Sequence, residues 1–320
     1  MISRDPVELL NEAQSGSRTA LARLLTYVES GGAQHRETVA LAYASATPYV
    51  IGITGPPGAG KSTLTDHLIS AALARGHVGH VETFDQVGVL CVDPSSPFTG
   101  GAILGDRIRM QDHATNNRVF IRSMATRGHL GGLSLAVPDA LHVLGAANFP
   151  FVFVETVGVG QMEVDIASAA DTTVVVTNPG WGDSMQANKA GLLEVADIFV
   201  INKADRPGAR ETRRDLEQML DLGRARDWRP LIVEATATKN EGTDALFDAI
   251  DAHRSYLDDS VLLDARRART RVELDKVVSV LVRSRVNNLA KGNAYEAQID
   301  ALLEGTTDPY RAAEKLLAES

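Results

Sequence analysis

The residues with the most definite chemistry run Gly55-Pro56-Pro57-Gly58-Ala59-Gly60-Lys61-Ser62-Thr63. Gly55, Gly60, Lys61 and Ser62 satisfy G-x-x-x-x-G-K-S between an apolar run, Val50 to Ile53, and a helix-like run, which is the context a phosphate loop requires. Glycines let successive backbone N–H groups turn inward on an anion, and the following helix adds the positive end of its dipole. Lys61 then reaches the β- and γ-phosphates of a nucleotide, and the Ser62 hydroxyl takes a place on Mg²⁺. A Gly/Pro turn before an ordinary helix is the plain alternative, but it asks for no Lys-Ser pair at this spacing. The stretch marks a nucleoside triphosphate site.

A second group, Asn202-Lys203-Ala204-Asp205, follows the apolar run Ile198 to Ile201. The Asp carboxylate of an N-K-x-D sequence accepts from both N1–H and the exocyclic amine of guanine. Adenine lacks that donor pair and would leave a buried carboxylate unsatisfied. Alone the pattern is weak. Far downstream of a phosphate loop and at a predicted strand end, it selects GTP, with GDP as product.

Three acids complete the set. Asp93 closes the run Val87 to Val92, Asp106 stands in Gly105-Asp106-Arg107, and Glu155 opens Glu155-Thr156-Val157-Gly158. Each can hold Mg²⁺ directly or through water, or orient the attacking water. For Asp106 taken alone, a helix cap is the stronger reading. Glu155 to Gly158 resembles the D-x-x-G switch of GTPases with Glu for Asp, so Gly158 would offer an N–H to the γ-phosphate and residues 159–163 would sense the nucleotide. Another Gly-rich stretch, Asn178 to Gln186 and on to Lys189, reads either as a turn with a part-buried Trp181 or as a mobile loop touching nucleotide or partner.

Elements must position these groups. Strand-like runs occur at Tyr49–Thr54, Val87–Val92, Val119–Arg122, Phe149–Glu155, Thr173–Asn178, Ile198–Asn202 and Leu231–Glu234, and helix-length stretches fit between most of them. That pattern predicts an α/β fold, a mostly parallel sheet covered on both faces, with its chemistry at the carboxyl ends of the strands. Residues 1–46 read as an N-terminal helical extension, 47–258 as the P-loop domain and 259–320 as three C-terminal helices. Those last helices suit a partner or dimer arm and equally suit packing on the domain's own surface. His77–Gln86 is longer than an ordinary helix–strand connection and reads as a surface insertion or hairpin; His77 and His80 alone are a poor metal set.

Composition narrows the class. The chain has 320 residues, 44% of them hydrophobic, and a net charge of −9, which argues against a broad nucleic-acid face. No run approaches a membrane span, and the start has no secretory signal, so the cytoplasm is the expected compartment. The single cysteine, Cys91, is expected to be a buried small hydrophobe.

The joined motifs GPPGAGKST, VDPSSPFTGGAILGDRIRM, ATRGHLGGLS, ETVGVGQ and NKAD resemble the methylmalonyl-CoA mutase-associated GTPase family. These are G-protein chaperones of adenosylcobalamin-dependent acyl-CoA mutases, in the signal-recognition/MinD/BioD branch of P-loop proteins. Some members carry an older label as arginine/ornithine transport kinases. The resemblance covers nearly the whole chain. It implies a GTPase that is slow alone, faster on its mutase, and that gates cobalamin loading and helps replace inactivated cofactor. By position, Lys61 and Ser62 bind phosphate and Mg²⁺, while Asp93, Asp106 and Glu155 form the metal and water shell. Asn202 and Asp205 read guanine, and Thr236-Ala237 stands where the family has Ser-Ala, whose backbone contacts guanine O6. Lys189 matches a lysine of partner-stimulated hydrolysis in an additional switch, and the C-terminal helices match a homodimer arm.

Departures from that pattern are Ser184 for Glu and a Trp181 in the additional switch, the His77–Gln86 insertion, and Thr236 for Ser. The first two lie outside the nucleotide contacts, so GTP chemistry is expected to survive them, and they leave open which mutase is served, methylmalonyl-CoA mutase or a relative acting on 2-hydroxyisobutyryl-CoA or isobutyryl-CoA. A metal-insertion GTPase would need Cys/His clusters that one cysteine and scattered histidines do not supply, and a P-loop kinase using ATP conflicts with Asn202–Asp205.

Overall fold

The computed structural model describes residues 4–78, 84–94, 110, 113, 115–126, 136–156, 169–180, 193–223, 226–289 and 292–318, without the side chains of 93, 94, 125 and 126. Seven strands, β1 (Tyr49–Thr54), β2 (Val87–Pro94), β3 (Val119–Thr126), β4 (Phe151–Thr156), β5 (Thr172–Thr177), β6 (Ile198–Asn202) and β7 (Leu231–Ala235), form one sheet. Its order is β3-β2-β4-β1-β5-β6-β7, and the pairings are parallel throughout. All seven strand-like runs of the sequence are strands. Their near-continuous apolar content reflects burial on both faces.

Boundaries differ in that β2 and β3 run on to Pro94 and Thr126, and β4 leaves out Phe149. The pattern starts a strand there, but its N–H donates to Leu144 O at 3.0 Å and closes helix α5 (Ala136–Ala146). Pro150 then has no N–H for the ladder, so β4 begins at Phe151.

Side-chain alternation divides the core. Ile51, Ile53, Val89, Cys91, Phe151, Phe153, Val174 and Val176 face a cluster completed by α4 (Lys61–Arg75) and α7 (Thr243–Tyr256). Val50, Leu90, Val92, Val152 and Val154 face the opposite cluster, made with α5 and the N-terminal helices α1 (Pro6–Gln14), α2 (Arg18–Ser30) and α3 (Ala33–Ala42). The N-terminal extension is thus a wall of the sheet's second core. Asp5 and Ser17 cap α1 and α2 by accepting from Val7 N and Ala20 N, satisfying N–H groups with no partner inside the helix. Helix α6 (Ala209–Leu222) adds a third patch against Val175, Phe199 and Ile201.

The His77–Gln86 stretch is pinned at both flanks. Val78 and Phe84 are buried in the first core, Phe84 stacks on Phe151 at 4.8 Å, and Phe84 N donates to Gly76 O at 2.7 Å. Residues 79–83, His80 among them, lie outside the described residues.

The chain divides into two compact units, residues 1–269 and 270–320. Helix α8 (Asp259–Leu289) contributes to both, and α9 (Asn293–Leu303) and α10 (Pro309–Ala318) belong to the second. Gly292 sits in extended backbone ahead of α9, at the break the sequence marks. Among the described residues, no helix is long and apolar enough to cross a membrane.

Candidate nucleotide site

The loop after β1 owes its glycines to its neighbours. Gly55 has φ +136°, and a Cβ there would lie 2.0 Å from Val176 O of β5. Gly60 has φ +93°, and a Cβ would lie 2.2 Å from Asn202 Nδ2. Neither position accepts a side chain, and both backbone conformations belong to glycine. Between them Ala59 is buried while Pro57 and Gly58 are exposed at the tip. Gly60 caps α4, so the loop opens onto a helix N-terminus, where unpaired N–H groups attract anions.

Lys61 is buried, and its Nζ donates to Gly55 O at 2.9 Å and Pro56 O at 3.0 Å. The ammonium therefore lies inside the curl of the loop, aimed at the space the glycines leave. One residue on, Ser62 Oγ donates to Glu155 Oε1 at 2.6 Å, and both side chains are buried. Glu155 arrives there because β4 is the neighbour of β1, with Glu155 in register with Ile53. Thr54 and Thr156 join the same strand ends by a hydroxyl pair at 3.1 Å. A hydroxyl facing a carboxylate beside a phosphate loop is a donor set of hard oxygens, and it fits Mg²⁺.

The residues of the Asn-Lys-x-Asp motif meet the same loop. Asn202, buried at the end of β6, donates from Nδ2 to Ala59 O at 2.7 Å and accepts from Ala237 N on Oδ1 at 3.0 Å. Lys203 takes a left-handed conformation, φ +58°, and donates to Gly58 O at 2.6 Å. One side chain thus ties the phosphate loop to the Thr236–Ala237 turn, and the next braces the loop tip. Asp205 stays partly exposed, its carboxylate 3.3 Å from Lys239 Nζ. Thr236 is held by a bridge to Glu241.

Gly55 to Thr63, Glu155, Asn202, Lys203, Asp205, Thr236 and Ala237 therefore gather at the carboxyl edge of the sheet. Asp106, Gly158, Trp181, Ser184 and Lys189, and the side chain of Asp93, lie outside the described residues. Sequence reasoning passed over two residues here. Lys239 pairs with Asp205, and His67 Nε2 on α4 bonds Ala237 O at 2.9 Å. Neither has a motif of its own; His67 is simply a residue of α4 until the Ala237–Lys239 turn is placed beside it.

Three displaced titrations lie at the other edge. Burial pushes the Asp197 carboxyl up to about 6 and the His253 imidazole down to about 4, and raises the Tyr49 phenol. All three sit at or beside the amino ends of strands.

Residues 21–294 match the family model described as methylmalonyl Co-A mutase-associated GTPase MeaB. A Pyrococcus abyssi protein with a provisional GTPase name is 49% identical, covering 98% of this chain and 96% of its own. A fused isobutyryl-CoA mutase of Cupriavidus metallidurans is 41% identical over 219 residues, 67% of this chain and 19% of that longer protein. Among solved structures, a LAO/AO transport system kinase is similar at a TM-score of 0.71 and 26% identity, covering 99% of this chain and 98% of its own.

Proposed function

The chain belongs to the methylmalonyl-CoA mutase-associated GTPase family, and from that premise we propose that it is the GTP-hydrolysing chaperone of an adenosylcobalamin-dependent acyl-CoA mutase, gating cofactor loading and helping to exchange inactivated cofactor. The observation that carries the nucleotide half is the junction at Asn202, which joins the phosphate loop to the Thr236–Ala237 turn with Asp205 alongside. Phosphate and base are read by one connected set of loops. A segment similar to this chain also occurs within a fused isobutyryl-CoA mutase, which supports a mutase as the partner.

In this reading Lys61 leaves Gly55 O and Pro56 O for the β- and γ-phosphates, and the loop N–H groups take the remaining phosphate oxygens. Ser62, Glu155, Asp93 and Asp106 would hold Mg²⁺, which when bound neutralises charge on the β- and γ-oxygens. Glu155 and Asp93 also orient the attacking water, and Gly158 reports the γ-phosphate. Asp205 accepts from guanine N1–H and N2, and the backbone at Thr236-Ala237 meets O6. Lys189 acts in partner-stimulated hydrolysis. Residues 1–46 serve as extension, 47–258 as the GTPase domain and 259–320 as the homodimer arm of a cytoplasmic protein.

GTP hydrolysis by the purified protein, alone and with each candidate acyl-CoA mutase, tests this. Slow turnover accelerated by one mutase is expected. Basal turnover that no mutase changes would remove the chaperone reading and keep the GTPase.

A further inference from the structure

Ala237 is held from two directions. Its N–H donates to Asn202 Oδ1 at 3.0 Å, and its carbonyl lies 2.9 Å from His67 Nε2. A carbonyl only accepts, so His67 must carry its proton on Nε2. The turn that follows, Ala237–Lys239, is a single short 3₁₀ segment, too brief to define its own orientation strongly. His67 belongs to α4, the helix that begins with Lys61 and Ser62. The rigid element presenting the phosphate ligands thus also grips the turn beside the base-reading loop. No sequence motif demands a histidine there, and the ring is only partly buried.

We propose that His67 is a positioning residue for recognition of the purine 6-oxo edge. It sets the Ala237 peptide relative to the phosphate loop, so that affinity for a 6-oxopurine nucleotide depends on the His67 hydrogen bond. The proposal rests on the reading above in which the Thr236-Ala237 backbone meets guanine O6, the Ala237 N–H leaving Asn202 Oδ1 to donate to it.

The test compares binding of GDP, inosine diphosphate and 2-aminopurine riboside diphosphate, which lacks the 6-oxo group, to the full chain and to His67→Ala, His67→Leu and His67→Gln. Removing the donor, with alanine or with the space-filling leucine, is expected to weaken GDP and inosine diphosphate by about fivefold to tenfold, the scale of one backbone hydrogen bond. The 6-deoxy nucleotide should change by less than about twofold, the remainder expected where that bond is never made. Glutamine, whose Nε2 can donate to the same carbonyl, should recover most of the loss. Equal weakening of all three nucleotides, no weakening of any, or no recovery with glutamine would overturn the positioning role. Wild-type protein that binds GDP and the 6-deoxy nucleotide equally would instead overturn the underlying O6 reading, and the proposal with it.

Discussion

At the carboxyl ends of β1, β4 and β6, Lys61 and Asn202 point at the backbone of loops, at Gly55, Pro56, Ala59 and Ala237, while Ser62 meets the Glu155 carboxylate. At the amino ends of β1, β5 and β6, buried polar side chains point at one another. Asp171 accepts from Val50 N at 3.0 Å and from Arg266 Nη2 at 2.8 Å, and pairs with Arg269 as well. Tyr49 bonds Thr172, Thr172 Oγ1 lies 2.8 Å from His253 Nδ1, and His253 Nε2 lies 3.5 Å from Asp197. Displaced titration often marks functional sites, yet Asp197, His253 and Tyr49 carry it at the amino edge of this sheet. Topology selects the other one. The amino edge is a closed set in which the partners are already protein groups; the carboxyl edge is built of loops and a helix N-terminus, which leave N–H groups for a ligand.

That contrast can be broken by mutation. Lys61→Ala is expected to lower GTP turnover by about a thousandfold, the scale of losing one preorganised charge contact to the transition state, with little change in melting temperature; normal turnover would refute the phosphate-loop assignment. Asp171→Asn should do the reverse. Leaving Arg266 and Arg269 beside a neutral amide is expected to cost about 3 kcal/mol of stability, read by urea unfolding, while GTP affinity stays within about twofold, as an edge remote from the ligand requires. A matching loss of GTP affinity would mean that the two edges are coupled.

Asp205→Asn swaps an acceptor for a donor. About tenfold weaker GTP binding is expected, the scale of a charge-assisted hydrogen bond, with preference moving toward xanthine nucleotides. Unchanged GTP affinity would place guanine reading elsewhere.

The smallest effect is in pH dependence. Asp197 is raised from 3.8 to about 6, so its contribution to stability is complete below pH 3.8 and is lost as pH rises through 6. His253 is lowered from 6.5 to about 4, so its contribution is complete above pH 6.5 and is lost as pH falls toward 4. The two slopes oppose each other between pH 4 and 6. His253→Gln removes one of them and should leave stability falling as pH rises across that window, by on the order of 2 kcal/mol. A flat profile for that variant would sink the opposed pair.

Chemistry carried by consecutive residues was determined by sequence alone. G-x-x-x-x-G-K-S, N-K-x-D and seven apolar runs each state their local structure, because backbone conformation, helix start and strand burial depend on near neighbours. Tertiary structure decided which strands are adjacent. Alternation says that a strand residue faces inward but does not name its neighbour across the sheet. With β4 beside β1, Glu155 meets Ser62; with β6 near the phosphate loop, Asn202 becomes a tie between two loops. His67 and Asp171 draw their partners from residues far along the chain, so nothing in their local sequence announces them. Their roles follow from long-range packing, and only the folded chain brings those groups within hydrogen-bond reach.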